Sequence, residues 1–424
     1  MKISRSRIRN MLIKNLPSWV KPVIYRRMIN FDPKGLGGLT CTIATSKEDL
    51  SAAFRLLHEN YVQAGFMNPH PSGMRLTKYH TLPSTTTIVA KVDDEVVGTV
   101  SLVRNGLFGS PVEEIFDLSE YRQNGERVCE VSSLAVARKY SGQRGKILFP
   151  LLNYLYQYSE KCFRVDYLAI AVNPMWWDFY EHILLFKRLR KDMVGSYSFV
   201  NGAPAVGGIL DLRTARENYK RVYGKQKLTR NLFEILGNLR IPGSKFPERK
   251  TGTISDPVMT PELLQYFFRN QSDVFENLSD QERIALLGMY RSPTFHAVLP
   301  MPSDAFVAPR PRKGGNRHDV ELLCSVVSRS GKSFSGVLMN ISASGALFKC
   351  DRGLRVDEIL GVRVASPGNH LFELSSRVVW STDNGLVGLE FLDQDFLWSK
   401  FVKTLEDRLL DPALQEQDIL RKSA

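Results

Sequence analysis

At 424 residues the chain has room for two domains or more, and 43% hydrophobic with 24% charged side chains is the balance of a soluble globular protein. No apolar run approaches the roughly 20 residues that a bilayer-spanning helix needs, and Met11, Leu12 and Ile13 are broken at once by Lys14, Asn15 and Pro17, which excludes a signal-peptide core. The five cysteines are odd in number and far apart, with no CxxC and no metal-ligand spacing, so they read as reduced thiols in a cytoplasmic protein with no metal site.

The net charge of +13 is concentrated at the start of the chain, where residues 1–40 hold nine basic side chains against Asp32 alone. Ile8, Met11, Leu12, Leu16, Trp19 and Val20 are interleaved with those charges, so residues 1–39 suit either an amphipathic segment on an anionic inner-membrane surface or a basic tail docked on its own domain. No nucleic-acid-reading module accompanies the charge, which leaves nucleic acid out of the expected partners.

A first strand is expected at 40–45. A helix capped by Ser46 follows, with Glu48 and Asp49 in its first turn, Leu50, Phe54, Leu57 and Tyr61 on one face, and an end near Gly65. Ile88–Val92 and Val96–Val103 read as strands joined by the turn Asp93, Asp94, Glu95. Val128–Val136 is a mostly apolar strand interrupted by Glu130, a carboxylate that costs free energy there unless it is paired, hydrated or functional. A basic, glycine-bearing loop (Arg138 to Lys146) leads into a helix with Leu148, Leu151, Leu152, Leu155 and Tyr158 on its apolar face, and Val165–Val172 follows as a strand. Strand, loop, helix, strand is a βαβ unit whose helix N-terminus suits a phosphate. Asn173 and Pro174 open a helix expected to run from Met175 to about Leu189, and strands at Tyr197–Val200 and Val206–Leu212 turn on Asn201 and Gly202.

This order resembles the α/β (α+β) GNAT-like acyltransferase fold over residues 40–215. More narrowly, it is similar to the N-acyl amino acid synthase family, relatives of the acyl-homoserine-lactone synthases. The resemblance is carried by Phe54, Arg55 and Leu56 through Tyr61 to Gly65 and Phe66, by Val97, Gly98, Thr99 and Val100, by Glu130 to Val136, and by Asn173, Pro174, Phe179, Tyr180 and Phe186. It implies that an acyl thioester, on acyl carrier protein or coenzyme A, lies in a splay between the two central parallel strands. Backbone N–H groups of Leu134, Ala135 and Val136 then hold the oxyanion, and the loop Gly142, Gln143, Arg144, Gly145, Lys146 meets the donor's phosphate end. Glu130 is the implied base for the attacking amine, direct or through water, with a structural ion pair to a nearby Arg or Lys as the competing reading. Ser133 and the Ser101–Leu102 pair stand where homoserine-lactone synthases carry arginines, which argues for an amino acid or another amine as acceptor. Lys146 stands where a small residue is common, a departure compatible with acyl carrier protein. Trp176, Phe179 and Tyr180 either line an acyl-chain pocket or pack a helix on the sheet. His58, His70, His80 and His182 show no metal spacing.

Residues 216–299 read as a polar helical extension with capped starts at Thr260–Pro261 and Ser279–Glu282, completing the acyltransferase half or forming an independent linker. A proline-rich linker (300–312) precedes a change to period two, with six short strands at 320–328, 334–341, 346–349, 359–364, 371–380 and 386–392 and a helix after Gln394. Asn340, Ser342 and Gly345 (NxSxxG), Arg377 to Trp380, and Gly388 to Phe391 lie on or between these strands. With them, an all-β barrel with a terminal helix over 313–411, followed by a tail at 412–424, resembles a PilZ domain, the bacterial cyclic di-GMP receptor. PilZ domains bind the nucleotide's phosphates and guanines with an RxxxR segment before the barrel. Here that spacing gives Lys313 and Arg317, with Arg312 one place early, and lysine lacks arginine's planar fork. The combined expectation is an acyltransferase governed by cyclic di-GMP. The alternative is a non-catalytic cyclic di-GMP effector whose acyltransferase-like domain serves as a partner-binding scaffold, with the barrel itself either a receptor or only a docking module.

Overall fold

In the computed structural model, residues 17, 19–104, 108–122, 126–140, 143, 145–247, 258–290, 293–303, 318–328, 331–365, 371–382, 385–393 and 395–410 are described. The chain divides into two compact units. The first comprises the chain to Leu76, Thr85–Asn105 and Ser110–Phe246; the second takes Thr77–Ser84, Gly106–Gly109 and the chain from Pro247 onward.

The first unit runs α1 (Lys21–Met28), β1 (Leu39–Ile43), α2 (Lys47–Ala64), β2 (Thr85–Val92), β3 (Glu95–Arg104), β4 (Val128–Val136), α3 (Leu148–Tyr158) and β5 (Tyr167–Val172). It continues with α4 (Trp177–His182), β6 (Lys187–Arg188), β7 (Val194–Tyr197), β8 (Ala203–Asp211), α5 (Leu212–Tyr223) and α6 (Leu232–Gly237). The sheet order is β1-β2-β3-β4-β5-β8-β6, with β7 on β8, and β4–β5 is the one parallel pairing among these. Local chemistry sets the boundaries as the sequence leads one to expect. Ser46 Oγ accepts from the Asp49 N–H at 3.1 Å, and Gly65 closes α2 at φ 75°. Asp93 and Asp94 both take left-handed φ (49° and 65°), as the two-residue turn between β2 and β3 requires.

Two expectations change. The helix expected to reach Leu189 ends at His182, because Leu185 turns left-handed (φ 61°) and the chain comes back as β6 to pair Lys187 with Ile209. Strand β7 ends at Tyr197, and Ser198–Val200 form a tight helical turn before the Asn201–Gly202 reversal. Helix α3 is also more deeply buried than an amphipathic pattern implies: every residue from Phe149 to Tyr158 is buried. Its two amide side chains reach carbonyls in and just beyond α6. Asn153 Nδ2 donates to Ile235 O at 2.7 Å and Gln157 Nε2 to Leu239 O at 3.1 Å, supplying partners that a helix end otherwise lacks.

The second unit holds α7 (Pro261–Gln265), α8 (Asp280–Met289), α9 (Pro293–His296), strands β9 (His318–Ser328), β10 (Ser333–Ser342), β11 (Gly345–Lys349), β12 (Ile359–Ala365), β13 (Leu371–Ser381) and β14 (Leu386–Phe391), and α10 (Phe396–Leu410). The capped starts are present: Thr260 accepts from the Leu263 N–H, and Ser279 with Glu282 forms a capping box. The helical stretch 216–299 is therefore split, with α5 and α6 in the first unit and α7 to α9 in the second. Lys78 pairs with Glu282 at 2.8 Å and the Tyr290 hydroxyl donates to Thr81 O at 2.6 Å, tying α8 to the short segment 77–84 of the same unit.

The six strands close into a barrel in the order β10-β11-β14-β13-β12-β9. Alternate residues (Val320, Leu322, Cys324 and Val326 on β9; Leu360, Val362 and Val364 on β12) fill its interior, the period-two pattern of a half-buried strand. Among the described residues no helix is long and apolar enough to cross a membrane, and all five cysteines are free.

Candidate functional site

Glu130 sits where the first sheet comes apart. Strand β4 pairs with β5 only from Val128–Tyr167 to Glu130–Ala169; β4 continues to Val136 and β5 to Val172 without further pairing between them. On its other side β4 stays paired with β3, but the register shifts between Thr99 and Ser101, and Ser133 takes φ 56°. A bulge with a left-handed serine strains the backbone by about 1–3 kcal/mol and re-aims the strand beyond it. The backbone edge of Leu134, Ala135 and Val136 is thus free of ladder partners on the β5 side, immediately after the carboxylate.

The Glu130 side chain is 3% exposed, and no cation pairs with it among the described residues. Oε2 accepts from the Val112 N–H at 2.6 Å, and the Ser132 side chain also reaches the carboxyl. The Val112 N–H is presented by a tight turn, Pro111–Glu114, that Ser110 caps by donating from N (2.9 Å) and Oγ (2.7 Å) to Glu113. Glu113 is in turn paired with Arg122. Val112 packs with Phe116, Leu118, Val128, Ala169 and Ile209, so the turn is fixed against the sheet. Burial pushes the Glu130 carboxyl up to about 8, assisted by Glu113 and Glu114; the Val112 and Ser132 bonds oppose the rise without cancelling it. Among the described residues no cation supports the structural ion-pair reading, and a carboxyl held near neutrality lies in the range that general bases use.

The sequence places Tyr61 on an apolar helix face and within the family resemblance, gives it no role in the site, and does not single out Arg75. The structure brings both to this site. The Tyr61 hydroxyl interacts with Arg75 and Ser133 and feels the Glu130 charge, and burial raises it above the usual phenol range. Nothing in a loop reading Gly73, Met74, Arg75, Leu76 signals this.

Of the loop expected to meet the donor's phosphate end, Gly142 and Arg144 lie outside the described residues. Gln143 Nε2 donates to Lys139 O at 2.7 Å, and Lys139 pairs with Glu95. Gly145 takes φ 75° with the Phe149 ring 2.4 Å from where a Cβ would stand, so no other residue fits. Lys146 precedes α3, whose N-cap residue Ile147 offers no capping side chain.

Gly98 explains the Val-Gly-Thr strand: a Cβ there would lie 2.7 Å from both Ile147 Cγ2 and Leu151 Cδ1, so the glycine lets α3 close on β3. Gly98→Val is expected to cost about 1–3 kcal/mol by overpacking and to displace the start of α3. The melting temperature should fall, which comparing thermal unfolding of the two proteins checks.

The aromatic cluster divides. Trp176 is 56% exposed, while Trp177 is buried against Gly208 and donates from Nε1 to Glu181 at 2.8 Å. Phe179, Tyr180 and Phe186 form a chain of edge-on contacts with centroids 5.5 Å and 5.8 Å apart. Burial raises the Tyr180 hydroxyl, which also senses Tyr61. Tyr180 thus lies on the site side of α4, and Trp176 faces solvent. Asp178, Glu181 and His182 approach one another closely enough to suggest a metal, but Tyr25 and Trp177 already donate to the two carboxylates. Residues 1–16 and Ser18 of the basic N-terminal segment are outside the described residues; Val23, Arg27 and Met28 of α1 are exposed.

In the barrel, the NxSxxG residues make the β10–β11 hairpin. Ser342 pairs with Gly345, and its Oγ donates to Gly345 O at 3.1 Å. Asn340 is buried at a register shift and lies opposite Asp319 on β9, and Ile341 lies opposite His318. The chain thus enters the barrel beside this hairpin one residue after Arg317. Arg312, Lys313 and Arg317 themselves lie outside the described residues. On the neighbouring strands Arg377 donates to Glu390 from Nε (3.2 Å) and Nη2 (2.6 Å).

Residues 52–211 match the family model described as N-acyl amino acid synthase FeeM, and residues 311–396 match that of the PilZ domain. Among solved structures, the chain is similar to FeeM, an N-acyl amino acid synthase from uncultured soil microbes, at 24% identity over 42% of this chain and 93% of that one (TM-score 0.37). It is similar to the CoA-dependent acyl-homoserine lactone synthase BjaI, solved with SAM and isopentyl-CoA, at 17% identity over 45% of this chain and 92% of that one (TM-score 0.34). The PilZ domain of CeSA from a cellulose-synthesizing bacterium aligns at 21% identity over 22% of this chain and 99% of that one (TM-score 0.19). No curated protein matches the chain.

Proposed function

We propose that this chain, an acyltransferase carrying an N-acyl amino acid synthase FeeM domain at residues 52–211 and a PilZ domain at residues 311–396, moves a fatty acyl group from a carrier thioester to an amine under the control of cyclic di-GMP. The observation that carries the first half is Glu130: a buried carboxyl with no cation beside it among the described residues, at the point where β4 and β5 part. The thioester lies in the splay with its pantetheine arm along the free edge of β4 and its phosphate end at the loop of Gly142, Gln143, Arg144, Gly145 and Lys146. The amine nitrogen attacks the carbonyl carbon and a C–N bond forms. Backbone N–H groups of Leu134 to Val136 stabilise the oxyanion, and Glu130 takes the nitrogen's proton directly or through water. Collapse breaks the C–S bond, and the departing thiolate takes up the proton held by Glu130, directly or through water, and leaves as the thiol. Acyl carrier protein and coenzyme A are the two donors to compare. Lipid mass spectrometry of cells expressing the wild type and Glu130→Gln tests the reading: an N-acylated amine made only by the wild type supports it and names both substrates.

For the second half, Asn340, Ser342 and Gly345 form a fixed hairpin beside the entry to β9, and Arg312, Lys313 and Arg317 supply the cations just before it. Titration of the full chain with cyclic di-GMP is expected to give saturable heat at tens of micromolar or below. Arg317→Ala should weaken binding about tenfold, the loss of one charge-assisted contact of about 1.4 kcal/mol. Absence of heat removes the receptor role. Equal acyl-transfer rates with and without bound nucleotide remove the coupling and leave binding in place.

A further inference from the structure

Arg75 is a buried cation with no carboxylate partner among the described residues. The residue is 6% exposed. Its guanidinium is stacked between two rings, with Cζ 4.2 Å from the Tyr61 centroid and 4.8 Å from that of Phe199. One Nη donates to Phe199 O at 2.8 Å, the other lies 4.0 Å from Met67 Sδ, the Tyr61 hydroxyl also reaches the guanidinium, and Nε has no partner. No carboxylate among the described residues pairs with it. Ring faces on both sides offset part of the cost of burying the charge, but an unpaired guanidinium still loses more by desolvation than two cation–π contacts return. A purely structural tether to Phe199 O needs one N–H and no charge.

We infer that Arg75 reads the carboxylate of an α-amino acid acceptor and thereby turns the acceptor's amino group toward Glu130. The inference rests on acyl transfer at Glu130 as proposed above and adds the group that selects the acceptor. Its position fits. Tyr61 joins Arg75 to Ser133, the bulged residue three places after Glu130, and interacts with both charges. The donor's phosphates are assigned to the loop beyond the other end of β4, so they do not compete for this cation. A planar fork held flat between two rings presents its remaining N–H groups in one plane, the geometry a carboxylate accepts. Because the acceptor brings its own negative charge, the site completes an ion pair only when an amino acid is bound. A simple amine leaves the cation unpaired.

The test compares an amino acid with the amine left by removing its carboxyl group. The full-length protein is assayed with acyl-CoA and acyl carrier protein donors on the twenty common amino acids. Leucine is then set against isopentylamine, phenylalanine against phenethylamine, and the fastest amino acid against its own decarboxylated amine. The wild type is expected to favour the amino acid by about a hundredfold or more in kcat/KM, since a site built to pair a polar group rejects analogues that lack it. Arg75→Gln is expected to remove most of that preference, lowering kcat/KM for the amino acid at least tenfold more than kcat/KM for the amine. Arg75→Lys, which keeps the charge but not the fork, is expected to recover part of it. A structural role would instead depress both acceptors equally, which overturns the assignment. So does a wild type that acylates the amines as fast as the amino acids, although Glu130 would keep its place in the reaction. A wild type that acylates no amine from either donor overturns the acyl-transfer reading, and this assignment with it.

Discussion

Glu130→Gln is expected to lower acyl transfer at least a hundredfold and, above pH 7, to make the protein more resistant to heat. General-base removal typically costs 10²–10⁴ in rate. The stability gain follows from the same burial. The carboxyl's ordinary value is 4.5 and the folded protein holds it near 8. Below 4.5 the group is neutral whether the chain is folded or not and contributes nothing. Between the two values the folded state binds a proton that the unfolded chain has released, so stability is lost as pH rises, and the loss is complete above about 8. At about 1.4 kcal/mol per unit this is on the order of 5 kcal/mol. Glutamine keeps an oxygen to accept the Val112 N–H and has no charge to desolvate. Melting curves should therefore nearly coincide at pH 5 and separate by several degrees at pH 8.5, the variant being the higher. The wild-type to variant rate ratio, taken with one acceptor so that the amine's own titration cancels, should climb with pH through about 8. Coincident melting curves at both pH values would mean that the carboxyl is hydrated, and the assignment of Glu130 as a poised base would fall.

Trp398→Ala is expected to unfold the barrel's covering helix and to abolish cyclic di-GMP binding together. Trp398 is 1% exposed, packs its ring against Phe372, Phe391 and Phe401 with centroids 5.3–5.6 Å away, and donates from Nε1 to Ser342 O at 3.0 Å. Truncating a buried tryptophan costs about 3–5 kcal/mol. Because the hydrogen bond ends on the hairpin of Asn340, Ser342 and Gly345, the loss falls on the residues proposed to face the nucleotide. Trp398→Phe keeps most of the packing and loses only the bond, about 1 kcal/mol. It should fold, and should bind the nucleotide less tightly by a few-fold. Unchanged affinity in the phenylalanine variant would detach the helix from the binding site.

The pieces legible in the sequence are those set by local chemistry. Ser46 and Gly65 bound α2, Asp93 with Asp94 turns β2 into β3, and Ser279 with Glu282 starts α8, because caps and turns depend on residues within a few positions of one another. The barrel strands were equally plain, since a closed sheet with one buried face writes a period of two into the chain. The end of α4 was not legible. Apolar residues continue past His182, and only pairing of β6 with β8 selects a strand over another helical turn.

The sequence by itself determined that a carboxylate sits in an apolar strand followed by a glycine loop, and that a basic segment precedes a small barrel. Tertiary structure decided what those features mean. Whether Glu130 is paired depends on Val112, 18 residues away, and on which side chains the sheet brings near it, with no cation among the described residues. Whether Arg75 is a surface charge or a buried one depends on the rings of Tyr61 and Phe199, the latter 124 residues further along the chain. Burial is a property of what the rest of the chain packs around a group, and the free energy of a charge depends chiefly on burial. The chemistry of these two residues therefore cannot be read from their neighbours in sequence, whereas caps, turns and periodicities can.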